Sequence, residues 1–475
     1  MAHTHAHNIP SADDIAQLKA LTGPNGWSTD PAVLAPWLEE WRGKYVGSTP
    51  LLLTPDNAQS LAKILAYCHN RNLAVKTQGG NTGLVGGSTP GLEGRTEILI
   101  STRRMTHIEP VSFGAAHLMA GSGATIFAVQ QAAREAGRLF PLSLASEGSC
   151  TVGGTLATNA GGMHVIRYGS MGALAYGVEA VLADGTIIDE TSPLMKDNRG
   201  LRFSRLLTGS EGTLGIITKA SLRLFAPERS QCTLWLTCPS LSACIAVLES
   251  AQAQFGQKLS VFEVVSQPAL NFALKHFSVA APTNTSTDSA WHILTELADS
   301  DAETSFESAV LAWFEQLNAV GHVLDAAIAK SLTQRTHMWQ LREKLSEAQK
   351  LEGKSIKHDI SLPLDKMVAF HEDASALIES RWPNSRVTPF GHLGDGNLHY
   401  NVMQPIGADP KAFAAAWEDM NDAVHTLVTA YEGSISAEHG IGTMKRRALA
   451  QARGPTHIKA MRSIKDALDP KGILN

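Results

Sequence analysis

Two histidines lie on either side of a glycine-rich turn in the segment PFGHLGDGNLHYN, residues 389–401. If residues 394–397 form the turn of a β-hairpin, His392 and His399 lie directly opposite each other on one face. Their Cβ atoms would then be about 5 Å apart, and two imidazoles at that distance can bind one metal ion. A hairpin whose histidines only pack or face water has the same pattern. The pair is therefore a candidate metal site that needs a third ligand.

A second segment, EGSISAEHGIGTMKRRAL at residues 432–449, offers a carboxylate and another imidazole. Glu438 would add an oxygen ligand, and two histidines with one carboxylate leave a metal with an open position, as catalysis requires. His439 follows directly, so its side chain should point elsewhere, and from the residues alone it could cap a turn before Gly440. Zinc is the first candidate ion, and manganese and iron stay open.

The composition describes a large globular protein. Its 475 residues exceed one ordinary domain, and 44% of them are hydrophobic and 18% charged. The formal net charge of -5 and the lack of basic runs argue against a nucleic-acid partner. No apolar stretch approaches the roughly 20 residues that span a bilayer, and the N-terminus has no secretory signal pattern. We therefore expect two or three domains and no transmembrane segment.

The cysteines favour a reducing compartment. Cys68, Cys150, Cys232, Cys238 and Cys244 are odd in number, and none forms a C-x-x-C pair. This pattern argues against an iron–sulfur cluster and against a four-cysteine zinc site. We expect a cytoplasmic protein, and a peripheral association with a membrane stays open.

Glycine is concentrated in the first half of the chain, in QGGNTGLVGGSTPG and SCTVGGTLATNAGG. Successive glycines let backbone N–H groups converge on an anion, so two such loops favour a cofactor with a pyrophosphate. The run AHLMAGSGATIF begins like a dinucleotide fingerprint, but Ile126 replaces its third glycine and no suitable acid follows. We therefore reject a nicotinamide Rossmann site, and the chain also lacks a P-loop motif.

Strand-like and helical runs alternate from residue 47 to 227. LLLTP and LAVKTQ predict strands around a helix, and GVEAVLADGTII predicts a strand, a turn and a strand. Residues 333–351 predict one helix with an apolar stripe, and SIKHDISLP predicts one strand. Arg342 and Ser346 border the stripe, and Lys357 lies in the strand. An isolated arginine or lysine is usually solvated surface.

Several segments together resemble a known flavoprotein superfamily. VKTQGGNTGLVGG, SCTVGGTLATNAGG and GSEGTLGIIT are similar to the FAD-binding domain of the p-cresol methylhydroxylase/vanillyl-alcohol oxidase superfamily. GHLGDGNLH and SAEHGIG resemble its FAD-dependent D-2-hydroxyacid dehydrogenase branch. The resemblance covers residues 47–475 and implies an α+β fold. Its parts are an N-terminal helical segment (1–46), a two-subdomain FAD-binding domain of the PCMH type (47–227), an α+β substrate or cap domain with the metal-binding hairpin (228–430), and a C-terminal helical segment that packs back on the FAD domain (431–475).

The resemblance also implies which residues bind FAD. The first glycine loop would cradle the pyrophosphate, the second would lie along the cofactor, and one later residue would touch the adenine side. The implied residues are Gly79, Gly80, Asn81, Thr82, Gly83, Gly86, Gly87, Ser149, Thr151, Gly154, Asn159, Gly162 and Ile217. A covalent flavin link is conceivable at Cys150, but non-covalent FAD is expected.

The resemblance implies the remaining site residues. It assigns the metal to His392, His399 and Glu438 and makes His439 the general base. Asn401 lies two residues beyond His399, hence on the same strand face, and would bond the substrate or the flavin edge.

Three more residues would surround the far end of the substrate. The resemblance gives this place to Arg342, Ser346 and Lys357. Arginine offers a bidentate fork and lysine a second charge, so the pair favours a dicarboxylate. The family often has threonine where Ser346 stands, and the smaller serine leaves room for other substrates.

The implied reaction is oxidation of a D-2-hydroxyacid to the 2-oxoacid, with hydride transfer to flavin N5. D-2-hydroxyglutarate is the favoured substrate. The alternatives are a dehydrogenase of D-lactate or another monocarboxylate, and a non-catalytic flavin-binding subunit of a glycolate-oxidase-like complex. A quinone or an electron-transfer flavoprotein would accept the electrons, and a homodimer stays open.

Overall fold

A computed structural model of the protein describes residues 6–277, 279–283, 287 and 289–475. Residues 1–5 of the predicted N-terminal segment lie outside the described residues. The chain forms two compact units. Unit 1 comprises Met1–Gly162, Tyr168–Pro227 and Glu438–Asn475, and unit 2 comprises Met163–Arg167 and Glu228–Ala437. The α+β class is confirmed, whereas the predicted division into four parts stays a prediction.

Strands occur in both units of the described chain. They are β1 (Trp27–Ser28), β2 (Leu52–Leu53), β3 (Val75–Gln78), β4 (Ile98–Ser101), β5 (His117–Gly121), β6 (Ala175–Val181), β7 (Ile187–Asp189), β8 (Ile216–Arg223), β9 (Ser230–Cys238), β10 (Leu259–Ser266), β11 (Trp291–Asp299), β12 (Asp325–Ile328), β13 (Ser355–Ile356), β14 (Asp359–Ser361), β15 (Arg386–Val387), β16 (Phe390–Gly391), β17 (Asn397–His399) and β18 (Val402–Met403).

Helices of the described chain are mostly short. They are α1 (Ala12–Thr22), α2 (Pro31–Leu38), α3 (Ala58–Arg71), α4 (Ile126–Glu135), α5 (Val152–Ala157), α6 (Val165–Tyr168), α7 (Phe203–Leu207), α8 (Leu241–Phe255), α9 (Gln267–His276), α10 (Glu307–Ala319), α11 (Leu332–Glu343), α12 (Leu345–Glu352), α13 (Met367–Arg381), α14 (Pro410–Ala415), α15 (Trp417–Ala430) and α16 (Arg446–Leu468). Single 3₁₀ turns cover Leu92–Gly94, Gly256–Lys258, Leu364–Lys366 and Leu393–Asp395. None of these helices is both long enough and apolar enough to cross a membrane.

Unit 1 contains two four-stranded sheets. The first has the order β1-β2-β4-β3, in which β4 runs parallel to both β2 and β3. The second, β5-β8-β6-β7, is antiparallel. The predicted strands and helix around β2, α3 and β3 are confirmed, as is the predicted pair β6 and β7. Strand β3 ends at Gln78, which delivers the chain directly into the first glycine loop.

Helix α3 shows why this part of unit 1 folds as predicted. Its buried residues Leu61, Ile64, Leu65 and Cys68 recur at the spacing of one helical face. Asn57 caps the N-terminus by accepting a hydrogen bond from the Ser60 backbone N–H at 2.8 Å. The apolar face packs into the core that also contains the buried residues of β3 and β4. This packing fixes the end of β3 and therefore the start of the glycine loop.

Unit 2 contains a seven-stranded sheet with the order β12-β9-β11-β10-β16-β17-β14 and a three-stranded sheet with the order β13-β18-β15. Every residue of β10 is buried, so this strand lies in the centre of the core. Helices α11 and α12 pack their apolar residues Met338, Leu341, Leu345 and Ala348 into the same core as the β10 residue Val261. The predicted apolar stripe is thus confirmed.

Two predicted elements of unit 2 are wrong in extent. The single helix predicted over 333–351 is two helices, because the chain breaks at Lys344 between α11 and α12. The single strand predicted for SIKHDISLP is also two, β13 and β14, which belong to different sheets. Between them, the His358 carbonyl accepts a hydrogen bond from the Tyr400 N–H at 2.9 Å. Lys357 therefore lies between two strands, and the predicted alternation of faces does not apply to it.

Candidate functional site

The two glycine-rich segments of unit 1 adjoin each other where β3 ends. A Cβ atom on Gly80 would lie 2.2 Å from the Ser149 carbonyl oxygen, and one on Gly79 would lie 2.5 Å from Thr151 Oγ1. At Gly80 the Cβ atom would overlap backbone, so glycine is required there for the two backbones to approach this closely, whereas at Gly79 the Thr151 side chain would have to shift. The structure thus brings together two loops that are 70 residues apart in sequence.

Thr151 carries a polar atom that a ligand could satisfy. Its hydroxyl oxygen is buried and has no hydrogen-bond partner among the described residues. It does not cap α5, although Thr151 is the residue before that helix. Leaving a buried hydroxyl unpaired costs about 1–3 kcal/mol. A Cβ atom on nearby Gly83 would meet open space. A bound phosphate oxygen could accept a hydrogen bond from this hydroxyl, so these residues suit a pyrophosphate cofactor.

Other predicted cofactor residues have structural roles in the same loops. Asn81 has a left-handed backbone (φ +55°), and its amide donates to the Glu39 carbonyl at 2.9 Å. Asn159 is also left-handed, and its Oδ1 accepts from Ser170 Oγ and the Gly172 N–H, both at 2.9 Å. The side chains of Asn81 and Asn159 therefore hold the loop shapes, and their contact with FAD stays a prediction.

The remaining predicted cofactor residues of unit 1 differ in exposure. Thr82, Gly87 and Gly154 are half-buried, Gly86 and Ile217 are buried, and Ser149 is exposed. Gly162 is buried, and a Cβ atom there would lie 2.3 Å from the Ser143 carbonyl oxygen. Ile217 belongs to the core around β5, β6 and β8, so it already has apolar neighbours. Exposed Ser149 and half-buried Thr82, Gly87 and Gly154 have surface that a cofactor could cover.

Cys150 is a poor nucleophile in this structure. The side chain is buried, and that burial raises the pKa of its thiol. A protonated thiol attacks a flavin slowly, because the thiolate is the reactive form. This environment favours the expected non-covalent FAD.

The two histidines of unit 2 do lie together, but not in the predicted register. His399 pairs with Phe390 rather than with His392, because a 3₁₀ turn at Leu393–Asp395 takes up residues before β17 begins. The shift is two residues, which keeps both histidines on one face as diagonal neighbours. Their ring centroids are 5.7 Å apart, and ring nitrogens of the two lie within 4.8 Å of each other. The predicted proximity is confirmed and the predicted direct pairing is wrong.

A buried carboxylate that the sequence analysis missed holds one of these histidines. Glu263 of β10 is 1% exposed, and its Oε1 lies 2.5 Å from His392 Nδ1. Its Oε2 accepts a hydrogen bond from Arg342 Nε at 2.7 Å. Burial opposes ionisation of Glu263, but the neighbouring Arg342 and His392 outweigh it and lower its pKa to about 2. The available signal was one acid within the apolar run LSVFEVVS, since a buried charge is almost always paired.

The predicted substrate residues of unit 2 are only partly gathered by the structure. Arg342 lies over the Phe390 ring, with its Cζ atom 4.8 Å from the centroid, and uses Nε for Glu263. Ser346 is exposed on α12, and Lys357 is half-buried between β13 and β14. Their roles toward a substrate stay predictions.

The strand-face argument for Asn401 is wrong, because β17 ends at His399. The chain turns there, and the Asn401 N–H donates to the His399 carbonyl at 3.0 Å. The Asn401 side chain is buried and donates to Gln349 Oε1 at 2.9 Å. Its amide thus holds the core, and a substrate contact stays a prediction.

The segment before Glu438 runs along the edge of the seven-stranded sheet. Ser434 and Ser361 of β14 exchange backbone hydrogen bonds, and the Ala437 N–H donates to the Asp359 carbonyl at 3.3 Å. Asp359 pairs with His399 across β14 and β17. Glu438 follows Ala437 by one peptide bond, and its Cα therefore lies about 3.8 Å from that of Ala437.

A second missed residue holds the loop after His439 within unit 1. The Glu211 carboxylate accepts hydrogen bonds from the backbone N–H groups of Ile441 and Gly442 at 2.6 and 2.7 Å. Glu211 itself has φ +51°, which is uncommon for a residue with a side chain. Its place in the GSEGTLGIIT segment was visible in the sequence, but its partners were not.

The fold and two matching family profiles define a flavin-dependent oxidoreductase, with a buried charged cluster around Glu263 in its second unit. A family profile described as "FAD linked oxidases, C-terminal domain" matches residues 227–475, and one described as "FAD binding domain" matches residues 49–191. The chain belongs to the family of FAD-linked oxidases.

Named relatives and one solved structure agree with this assignment. The chain is 37% identical to a protein of Bos taurus named D-2-hydroxyglutarate dehydrogenase, mitochondrial, over 98% of this chain and 83% of that one. It is 34% identical to the D-2-hydroxyglutarate dehydrogenase of Xanthomonas citri pv. viticola, over 94% and 92%. The structure of p-cresol methylhydroxylase with substrate bound matches with a TM-score of 0.74 at 14% identity, covering 97% of this chain and 94% of that one, which shows the shared fold.

Proposed function

We propose that the protein oxidises D-2-hydroxyglutarate to 2-oxoglutarate with FAD as its cofactor. The observation that carries this proposal is the likeness to relatives of that name over nearly the whole chain. Two cationic side chains of unit 2, Arg342 and Lys357, support a dicarboxylate over a monocarboxylate substrate, since each can bind a carboxylate.

Unit 1 holds the cofactor in this proposal. Gly79–Gly83 and Thr151 bind the pyrophosphate, and the other predicted residues of the two loops line the cofactor. The buried Thr151 hydroxyl and the required glycine at position 80 support this role. FAD, when bound, supplies the hydride acceptor at N5. The buried thiol of Cys150 supports a non-covalent cofactor.

Unit 2 supplies the metal ligands His392 and His399, and Glu438 supplies the third. The two neighbouring histidine rings and the carboxylate that orients His392 support this part of the proposal. A divalent metal, when bound, supplies a Lewis acid for the hydroxyl and α-carboxylate of the substrate. Zinc suits two imidazoles and one carboxylate best, and manganese or iron are the alternatives.

Other side chains bind the substrate and move one proton. His439 takes the proton of the substrate hydroxyl, because its neutral imidazole can act as a base near neutral pH. Arg342 and Lys357 bind the distal carboxylate. Ser346 and Asn401 offer a hydroxyl and an amide to the same substrate.

The partners and the location are further parts of the proposal. A quinone or an electron-transfer flavoprotein reoxidises the flavin, and two copies of the chain form a dimer. The protein resides in the cytoplasm, with a peripheral membrane position as the alternative. The five cysteines, all within the described residues, are free thiols, which supports a reducing compartment. The bovine relative is named as a mitochondrial protein, and that location is stated for the relative alone.

Anaerobic reduction of the bound flavin tests the proposal. Purified protein should be yellow and should bleach with D-2-hydroxyglutarate, and a strong chelator should abolish the bleaching. Bleaching with D-lactate but not with D-2-hydroxyglutarate would show that D-lactate is the substrate instead. Flavin that no 2-hydroxyacid reduces would point to a non-catalytic subunit.

A further inference from the structure

We propose that Glu263 is a positioning residue that holds both the metal ligand His392 and the substrate-binding Arg342. It sets the spacing between the two groups that bind opposite ends of the substrate. The inference rests on the proposed function, in which His392 binds the metal and Arg342 the distal carboxylate.

The hydrogen bonds of Glu263 divide its carboxylate between two partners. Oε1 lies 2.5 Å from His392 Nδ1, and Oε2 accepts from Arg342 Nε at 2.7 Å. With one oxygen for each partner, neither side chain can move without breaking a charge-assisted hydrogen bond. Such bonds are about twice as strong as those between neutral groups.

The bond to His392 decides which ring nitrogen faces a metal. A carboxylate accepts only from an N–H, so Nδ1 carries the hydrogen and Nε2 keeps its lone pair. Carboxylates that orient a histidine ligand in this way typically contribute 10- to 100-fold in metal affinity. Glu263 therefore prepares His392 for the metal before the metal arrives.

The bond to Arg342 has the matching effect on the substrate side. It occupies Nε, and the ring of Phe390 supports the guanidinium from one face. A carboxylate ligand would therefore meet the terminal Nη atoms of a side chain that is already oriented. An arginine side chain loses rotational freedom about several bonds when it binds a ligand. Fixing it in advance therefore reduces the entropy cost of binding.

Glu263 can fix both partners because its own strand is rigid. All residues of β10 are buried, and the strand pairs with β11 on one side and β16 on the other. His392 directly follows β16, whereas Arg342 lies near the end of α11. One side chain in the centre of the sheet thus connects a loop and a helix that are distant from each other along the chain.

The neighbouring strand offers a matched control. Glu296 of β11 is 0% exposed and accepts two hydrogen bonds from another α11 residue, Arg335, at 2.8 and 3.1 Å. Glu263 and Glu296 are thus both fully buried, both on central strands and both paired with an arginine of the same helix. Of these two glutamates, only Glu263 contacts His392. Comparing them therefore distinguishes positioning of the metal ligand from general stabilisation of the core.

Zinc affinity of the full-length apoprotein, measured by competition with a chromophoric chelator, tests the inference. Glu263→Gln should weaken zinc binding by at least about tenfold. Glu296→Gln should leave zinc binding within about threefold, although it lowers the melting temperature because it breaks a buried charge pair. Because glutamine cannot accept from both partners, the KM for D-2-hydroxyglutarate should also rise in the holoenzyme of Glu263→Gln. If Glu263→Gln does not fold, Glu263→Asp keeps the charge but shortens the reach and should show the same loss.

Three outcomes would contradict the inference. Unchanged zinc affinity in both Glu263 variants would overturn it while leaving the proposed metal site intact. An equal loss in Glu296→Gln would assign the effect to core stability. Wild-type protein that binds no zinc, manganese or iron would instead overturn the metal site of the proposed function, and the inference with it.

Discussion

The glycine loops of unit 1 and the charged cluster of unit 2 are built in opposite ways. The loops around Gly80 and Thr151 depend on absent side chains, since a Cβ atom at Gly80 would overlap a backbone oxygen. The cluster around Glu263 depends on side chains that are present, buried and charged. The first region excludes substitutions by shape, whereas the second excludes them by charge.

This difference decides what each region can do. Backbone N–H groups are fixed dipoles, so the loops suit a cofactor that stays bound with one orientation. Buried ionised side chains interact strongly with charge, so the cluster suits binding of a charged ligand. Substitutions in one region should therefore leave the properties of the other region unchanged.

The largest effect is expected for His439, the proposed base, which belongs to unit 1. His439→Asn should slow anaerobic flavin reduction by at least about 100-fold, because the hydroxyl proton loses its acceptor. FAD content should stay normal, as measured from the visible spectrum. Exposed His457, in α16 of the same unit, provides the control variant His457→Asn. Near-normal reduction in His439→Asn would remove His439 from the role of base.

Lys357 should show the next largest effect, and it tests the charge of unit 2. Lys357→Ala should raise the KM for D-2-hydroxyglutarate by about 10- to 100-fold, since a charge-assisted hydrogen bond is lost. The KM for D-lactate, which lacks the second carboxylate, should change far less. Lys354→Ala removes an exposed lysine of the same segment and serves as the control. Equal effects on both substrates would remove the distal-carboxylate role.

Gly80 and Gly83 test the shape of unit 1 at two positions of one loop. Gly80→Ala should lower the melting temperature of the apoprotein and weaken FAD binding by about tenfold or more, because the backbone must move. Gly83→Ala should leave the apoprotein melting temperature within about 2 °C, since its Cβ atom would meet open space.

FAD titration of the two glycine variants then separates two kinds of loop position. Weaker FAD binding in Gly83→Ala at an unchanged apoprotein stability would indicate that the cofactor occupies the open space beside Gly83. Normal binding in Gly80→Ala would show that the close contact with Ser149 does not shape the site. Zinc affinity should not change in either variant, because neither glycine is one of the proposed metal ligands.

The smallest effect concerns the buried imidazole of His292 in unit 2. Burial lowers the pKa of His292 to about 4, and its Nε2 lies 2.7 Å from Gln267 Oε1. The unfolded chain binds a proton below about pH 6.5, whereas the folded chain does not until about pH 4. The neutral ring therefore contributes stability above pH 6.5, and this is lost as the pH falls to about 4.

The expected slope is up to about 1.4 kcal/mol of unfolding free energy per pH unit within that window. Hydrogen exchange of β9 and β11 from pH 4.5 to 7.5 measures it, and His292→Gln should reduce the slope. Its absolute stability should also fall, because the hydrogen bonds with Thr237 and Trp235 change. A slope that His292→Gln does not change would assign the acid sensitivity to other groups.

The two regions were not equally visible in the sequence. The loops at Gly79–Gly83 and Thr151 are continuous segments, and a run of glycines near the end of a strand is a local pattern that can be read directly. The cluster of unit 2 joins Glu263, Arg342 and His392, which are far apart in the chain. Local patterns do not encode such pairings, so Glu263 was missed although its apolar surroundings marked it as unusual.

Errors in the predicted elements have local causes as well. The hairpin register was two residues off because the 3₁₀ turn at Leu393–Asp395 is longer than a two-residue loop. The strand over SIKHDISLP was predicted as one because alternation continues through Lys357 and His358, while the backbone changes sheets there. The α3 face was predicted correctly, since its apolar spacing and its cap are both local.

The way the chain is shared between the units limits how they can be recombined. Residues 163–167 belong to unit 2, although the residues on both sides belong to unit 1. Within unit 2, Arg167 donates to Glu228 and to the Ala298 carbonyl, both at 3.0 Å, and the Ile166 side chain occupies the space beside Gly394 of the hairpin that carries His392 and His399. A gene fragment for residues 228–437 would omit these contacts. Exchanging the complete unit 2 between related proteins therefore takes four breakpoints in the gene, and a two-point crossover would leave the hairpin without Ile166 beside it.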